Sequence, residues 1–329
     1  MKRTTPLPVV ALIALFVLGA VALVWQLVPN GDEAKQKDLV IFCAAGLVPM
    51  LEAAKPRLRD DLGLRLVLEA SGSQVAARKV TELGKRCDLL LLADPNVVTD
   101  LMTGYADWRV DFAMDEMVLA VGSRAPHTDE AEKDWVSVLL RPEVKLARVD
   151  ETQGPVGYRT LLVWHLAEAQ GKAGLYDELM AKNASVVDHV TSLTGLLRNG
   201  EADYAFVYRS ICISQDIRYI PLPTAINLGS PDTDYSSAKA VYTVPSAALD
   251  RQVTVVGEPV VWSLTIPRNP IDAEAAMQFT QWLMKQPDLV SSAGFRHMKP
   301  ARYYGPKDAL PSALEPLVAL SGPLRGGGD

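Results

Sequence analysis

The chain has 329 residues, 49% of them hydrophobic and 22% charged, which is enough for two compact lobes and too apolar for a disordered protein. Thirty-three basic residues against 39 acidic ones leave a net charge of −6 with no Lys/Arg block, which argues against a nucleic-acid partner. Cys43, Cys87 and Cys212 are far apart, and neither they nor the four histidines show a zinc spacing.

Lys2 and Arg3 precede an apolar run from about Pro6 to Pro29, whose core Val9–Trp25 carries no charge. Residues 1–29 are expected to be an export signal or, given the length of the run, an uncleaved membrane anchor. Residues 9–29 would then hold the bulk of the protein outside the inner membrane, basic end inward. The small-x-small pattern Ala20-Val-Ala22 lies inside the run and leaves cleavage after Ala22 open. Residues 30–37 form a polar linker.

Asp38–Ala45 is a short apolar run ended by Gly46, consistent with a strand buried on both faces. A helix over Pro49–Asp60, a strand over Leu64–Ala70, a helix to Leu83 and a strand over Cys87–Asp94 follow. With Cys43 late in one strand and Cys87 at the start of another, parallel strands would keep these thiols apart, buried and unbonded. Met114–Val121 is the next strand, and the acidic group Asp111, Asp115 and Glu116 is expected in a solvated turn. The alternation restarts with a short helix over Trp135–Leu139 and a strand over Lys145–Val149. A helix to about Gln170, another over Val190–Asn199 and a strand over Ala202–Tyr208 come next. Residues 222–240 are expected to be an irregular loop. Strands at Val253–Val256 and Val260–Ile266 and a helix over Asp272–Lys285 close the series.

This alternation predicts α/β architecture with two doubly wound, mostly parallel lobes around a hinge and a central cleft. Lobe 1 is expected over 38–115 and 258–310, lobe 2 over 116–257, and a tail over 311–329. Ligands in such folds sit beyond the carboxyl ends of the strands. The turns there are Ala44-Ala-Gly46, Ser71-Gly-Ser73 and Thr152–Thr160, with Thr191-Ser192 near a further helix start. Each offers backbone N–H groups at a helix start, where the dipole favours an anion. Tyr208 closes a strand where its hydroxyl would reach the cleft. Arg159 and Arg209 are expected in surface ion pairs. The chain has no nucleophile elbow, P-loop, zinc-protease or dinucleotide motif, so no enzyme activity is expected.

Several segments together resemble a known family. They are Ser71-Gly-Ser73 with Arg78–Gly84, Asp88 through Asp94, Tyr105–Trp108, Leu140–Lys145, Pro155-Val-Gly-Tyr-Arg159 and Gly200–Phe206. Over roughly residues 38–285 the chain is similar to the periplasmic molybdate/tungstate-binding proteins of ABC importers, which have the type II solute-binding fold, and above all to their archaeal-type branch. The resemblance implies a monomer that closes on a molybdate or tungstate ion, needs no cofactor, and delivers the ion to an inner-membrane permease. It implies ligand contacts from Ala45, Gly46, Ser71, Ser73, Val156, Gly157, Val190 and Tyr208, and no direct metal ligand. Gln153, Gly154 and Val207 stand where the archaeal-type branch has metal-binding carboxylates, so the anion would stay tetrahedral. Gly46 stands where the family usually has a serine. These departures keep two other readings open: a tethered sensor or assembly factor that has lost transport, and a binder of another oxyanion such as sulfate.

Overall fold

The computed structural model describes residues 36–182, 185–244 and 250–324. The expected anchor lies outside them, and no helix among the described residues is long and apolar enough to cross a membrane. From Asp38 on, the described residues form one compact unit, built from a seven-stranded sheet, a five-stranded sheet and a two-stranded hairpin.

The first lobe begins with β1 (Lys37–Ala44), a 3-10 turn (Ala45–Leu47), α1 (Val48–Leu62), β2 (Leu64–Ser71) and α2 (Ser73–Thr81). It continues with β3 (Leu89–Leu92), α3 (Pro95–Leu101) and β4 (Arg109–Met114). Every residue of β3 is buried, as a strand covered on both faces requires. α1 turns Met50, Leu51, Ala54 and Leu58 inward at helical spacing and ends at Gly63, which takes the left-handed conformation (φ 66°).

The second lobe holds β5 (Met117–Val121), α4 (Thr128–Leu139), β6 (Leu146–Val149), α5 (Pro155–Ala169) and α6 (Leu175–Ala181). After these come β7 (Ser185–Val187), α7 (Val190–Asn199), β8 (Tyr204–Tyr208), α8 (Arg209–Ser214) and β9 (Tyr219–Pro221). An antiparallel hairpin, β10 (Lys239–Val244) with β11 (Arg251–Val256), precedes the return to the first sheet. There the chain adds β12 (Val261–Thr265), α9 (Ala273–Met284), α10 (Pro287–Ser292), β13 (Arg296–Tyr304) and β14 (Val318–Gly322).

Both sheets are mixed rather than mostly parallel. The seven-stranded sheet runs β14-β13-β4-β12-β3-β1-β2 and the five-stranded one β7-β6-β8-β5-β9. β1 and β3 are parallel, and so are β6 and β8, but β12 opposes both β3 and β4, and β5 opposes both β8 and β9. The reason lies in the crossings. β5 and β12 are the first strands after each passage between sheets, so each starts at the end where its neighbours β8 and β3 finish. Met117 accordingly pairs with Tyr208, and Ser263 with Leu92. The two passages lie side by side, the Asp115 N–H donating to the Val260 carbonyl at 3.0 Å.

Other expectations give way here. The run Met114–Val121 is two strands in two different sheets. Asp111 and Asp115 are buried, not solvated: Asp111 pairs with Arg109 at 3.1 Å, and Asp115 accepts the Glu116 N–H at 2.9 Å. Val318–Gly322 falls in the stretch read as tail and pairs in parallel with β13. α5 is enclosed nearly all round, buried at every position from Pro155 to Trp164. The thiols are as expected: β1 and β3 are parallel, Cys43 lies opposite Leu91, and all three cysteines are free and buried.

Candidate functional site

Strands of both sheets end around one cavity of ≈ 40 Å³. Ala44, Ala45 and Gly46 line it beyond β1, Ser71, Gly72 and Ser73 beyond β2, and Ala93 beyond β3. The other lobe contributes Val149, Gln153–Val156, Asp188–Val190 and Tyr208. One water needs at least about 10–15 Å³, so the cavity has room for a small ion.

The helix starts around it share a local feature. The 3-10 turn that leads into α1, and the helices α2, α5 and α7, all begin at the cavity, and none has a side-chain cap. Elsewhere α3 is capped by Asp94, which accepts from the Asn96 N–H, and α9 by Asp272, which accepts from the Ala275 N–H, but α4, α6, α8 and α10 also start without a side-chain cap, so it is the convergence on one cavity that sets these starts apart. First-turn N–H groups have no intrahelical acceptor, so an uncapped start presents donors and the positive end of the dipole. Pro155 at the first position of α5 leaves the Val156 N–H as the leading donor of that helix.

The hydroxyls are arranged in the same sense. Ser73 is fully buried, and its Oγ accepts the Ala93 N–H at 3.0 Å, which leaves its proton to be donated elsewhere. Tyr208 Oη accepts from Arg159 at 2.7 Å and is left in the same position. Burial holds the Tyr208 phenol well above its ordinary pKa, so it keeps its proton at neutral pH. Ser71 is less committed to the cavity, with long contacts of 3.3 Å to the Gly72 carbonyl and 3.4 Å from Lys79.

Close approach explains two glycines. A Cβ on Gly72 would lie 1.8 Å from the Gln153 carbonyl oxygen, so the Ser71–Ser73 turn and the Gln153–Gly154 turn of the facing lobe touch through backbone. A Cβ on Gly46 would lie 3.0 Å from Trp262. Trp262 crowds the space that a serine side chain would need, and its ring meets Tyr208 edge-on with centroids 5.4 Å apart.

Seven of the eight residues expected at the site line this cavity: Ala45, Gly46, Ser71, Ser73, Val156, Val190 and Tyr208. Gly157 does not. Its N–H is taken by the Gly154 carbonyl at 3.0 Å, and its missing side chain serves packing, since a Cβ would lie 2.5 Å from the Asp150 carbonyl oxygen. Gln153 and Gly154 are on the lining, whereas Val207 points into the core. Arg159 is not in a surface pair. It is buried, 3.5 Å from the equally buried Asp94. Arg209 is half-exposed and pairs with Glu116 at 3.6 Å. Sequence reasoning missed Ala93, Val149, Asp188, His189, Ile211 and Trp262. Ala93, Asp188 and His189 directly follow or precede regular elements and were findable from the rule of strand ends, but Ile211 and Trp262 carry no local signal.

The sequence profile of the family described as bacterial extracellular solute-binding protein matches residues 39–296. The chain belongs to that family. A solute-binding protein of Petrotoga mobilis, itself uncharacterized, is 34% identical over 253 residues, which span 75% of this chain and 79% of that protein. A molybdate/tungstate-binding protein of Pyrococcus abyssi is 30% identical over 284 residues, covering 77% of this chain and 81% of the relative. Among solved structures, the periplasmic molybdate-binding protein of Azotobacter vinelandii matches with a TM-score of 0.57 at 16% identity, over 78% of this chain and 98% of that one. At that identity the likeness is one of fold. The mixed α/β, two-lobed architecture described above is thus the architecture of a periplasmic binding protein.

Proposed function

We propose that this solute-binding protein takes up a small tetrahedral oxyanion, molybdate or tungstate first, and hands it to an ABC permease in the inner membrane. The carrying observation is that four uncapped helix starts meet at one ion-sized cavity. In this reading the anion accepts hydrogen bonds from the backbone at Ala45, Gly46, Val156 and Val190 and from the hydroxyls of Ser71, Ser73 and Tyr208. Such donors distinguish a fully deprotonated anion from a protonated one, because a protonated oxygen cannot accept from an N–H. The relative from Pyrococcus abyssi supports the choice of molybdate and tungstate. The ligand is bound and released unchanged, by a monomer that hinges at the two crossing segments near residues 114–117 and 257–261. Residues 9–29 tether it outside the inner membrane.

Calorimetric titration with molybdate, tungstate, sulfate and phosphate tests the binding. Molybdate and tungstate are expected to bind, and no heat from any of the four at millimolar concentration would refute the proposal. Sulfate binding in preference to both would favour the alternative oxyanion. A mature N-terminus at Leu23 or later, measured by mass spectrometry, would remove the tether.

A further inference from the structure

Behind the tyrosine of the cavity lies a buried cation that reaches across the cleft. Arg159 of α5 is enclosed by protein. One guanidinium nitrogen donates to Tyr208 Oη at 2.7 Å and to the Ala93 carbonyl at 2.5 Å, and another lies 3.5 Å from the Asp94 carboxylate. Tyr208 and α5 belong to the five-stranded lobe, whereas Ala93 and Asp94 follow β3 in the seven-stranded one. Asp94 is held in turn by the Asn96 N–H at 2.8 Å and by the Tyr158 hydroxyl.

A phenol has one proton to donate and an oxygen that accepts. Arginine has only donors and stays charged. When its guanidinium occupies the Tyr208 oxygen, the phenolic proton cannot point back at it. Among the described residues that proton is donated to no protein acceptor, and Tyr208 opens onto the cavity. The adjacent positive charge also strengthens the outgoing O–H as a donor. Asp94 balances the cation, so the cleft gains a directed donor without an uncompensated buried charge when it is empty.

We propose that Arg159 is a positioning residue for anion binding, which aims the Tyr208 hydroxyl into the cavity while its other bonds to Ala93 and Asp94 join the two lobes. The inference rests on the oxyanion reading of the cavity. It assigns an indirect role to a charged side chain that touches no ligand.

A double-mutant cycle read by molybdate calorimetry tests it, with Tyr208→Phe, Arg159→Met and the two combined. Tyr208→Phe removes the donor yet leaves Arg159 its bonds to Ala93 and Asp94. Each single change is expected to weaken binding roughly ten- to hundredfold, the range for a hydrogen bond to a charged acceptor. The double variant is expected to fall at least about fivefold short of the product of the two single losses, which is the signature of coupled residues. Arg159→Lys, which keeps a cationic donor, is expected to recover part of the affinity lost in Arg159→Met. If Arg159→Met does not fold, Arg159→Met with Asp94→Asn removes cation and counter-charge together and carries the same cycle. Losses that simply multiply, or a lysine no better than methionine, would overturn the role of Arg159 while leaving the oxyanion reading intact. A wild-type protein that binds none of molybdate, tungstate, sulfate or phosphate would overturn both.

Discussion

Gly72→Ala should abolish tight anion binding while the chain still folds. Gly72 has φ −66° and ψ 151°, an extended conformation that alanine adopts without strain. The three nearest atoms such a methyl group would meet are all in Gln153 and Gly154 of the facing lobe. The added Cβ would lie 1.8 Å from the Gln153 oxygen and 2.8 Å from its carbonyl carbon. An ordinary C···O contact is about 3.3 Å or more, so the two turns must separate by roughly 1.5 Å. A hydrogen bond lengthened by that much is lost. An ion held by one lobe would then lose the donors of the other. Losing two charge-assisted bonds at about 1.5–3 kcal/mol each amounts to roughly 3–6 kcal/mol, or about a hundredfold to more than ten-thousandfold in affinity. Titration calorimetry measures the affinity, and a cooperative thermal transition without anion serves as the control that the variant folds, with a loss of stability expected because separation also breaks the Arg159–Ala93 and Tyr158–Asp94 bonds between the lobes. A Gly72→Ala protein that binds molybdate as tightly as wild type would refute the idea that the two turns must meet.

Three further outcomes follow from buried groups. The Asp115 carboxyl is pushed up to about 7 by burial, against N–H bonds from Glu116 and Ser210 that pull it down. The folded protein therefore keeps a proton that the unfolded chain releases above 3.8, so this contribution is complete below that pH and is lost as the pH rises to about 7. It amounts to at most roughly 4 kcal/mol. Asp115→Asn should flatten the decline in denaturant stability between pH 4 and 7 by comparison with wild type, and an unchanged slope would count against this assignment. Gly46→Ser places a Cβ 3.0 Å from Trp262. It should cost about 1–3 kcal/mol in urea unfolding through overpacking, and a neutral result would mean that the indole yields easily. Burial pushes the Cys43 and Cys87 thiols up to about 12, so a thiol reagent at pH 8 should label neither until the protein unfolds. Rapid labelling of the native protein would contradict their burial.

Much of this protein is local and was therefore legible in the chain. The unbroken apolar stretch Leu89–Leu92 can only be a strand covered on both faces. Glycine and proline before Val156, and the small residues at Ser71–Ser73, mark helix starts whose N–H groups have no partner in the helix, whatever surrounds them. Those rules bring seven of the eight expected residues onto the lining of one cavity, because strand ends and helix starts are properties of a few consecutive residues. What they could not supply depends on residues brought together from afar. The direction of β12 follows from where the chain re-enters its sheet, which no apolar pattern records. Asp111 and Asp115 look like a charged turn until the seven-stranded sheet encloses the first and the passage between the sheets the second. Arg159 stands 65 positions from the aspartate it pairs with and 49 from the tyrosine it aims, and on its own helix it resembles any surface arginine. The indole of Trp262 lies far along the chain from Gly46, the residue whose missing side chain it requires. Backbone donors are set by neighbours in sequence, whereas charge pairing and steric exclusion are set by neighbours in space. The chain alone could announce an anion site, and only the closed packing of two lobes decided which side chains aim it.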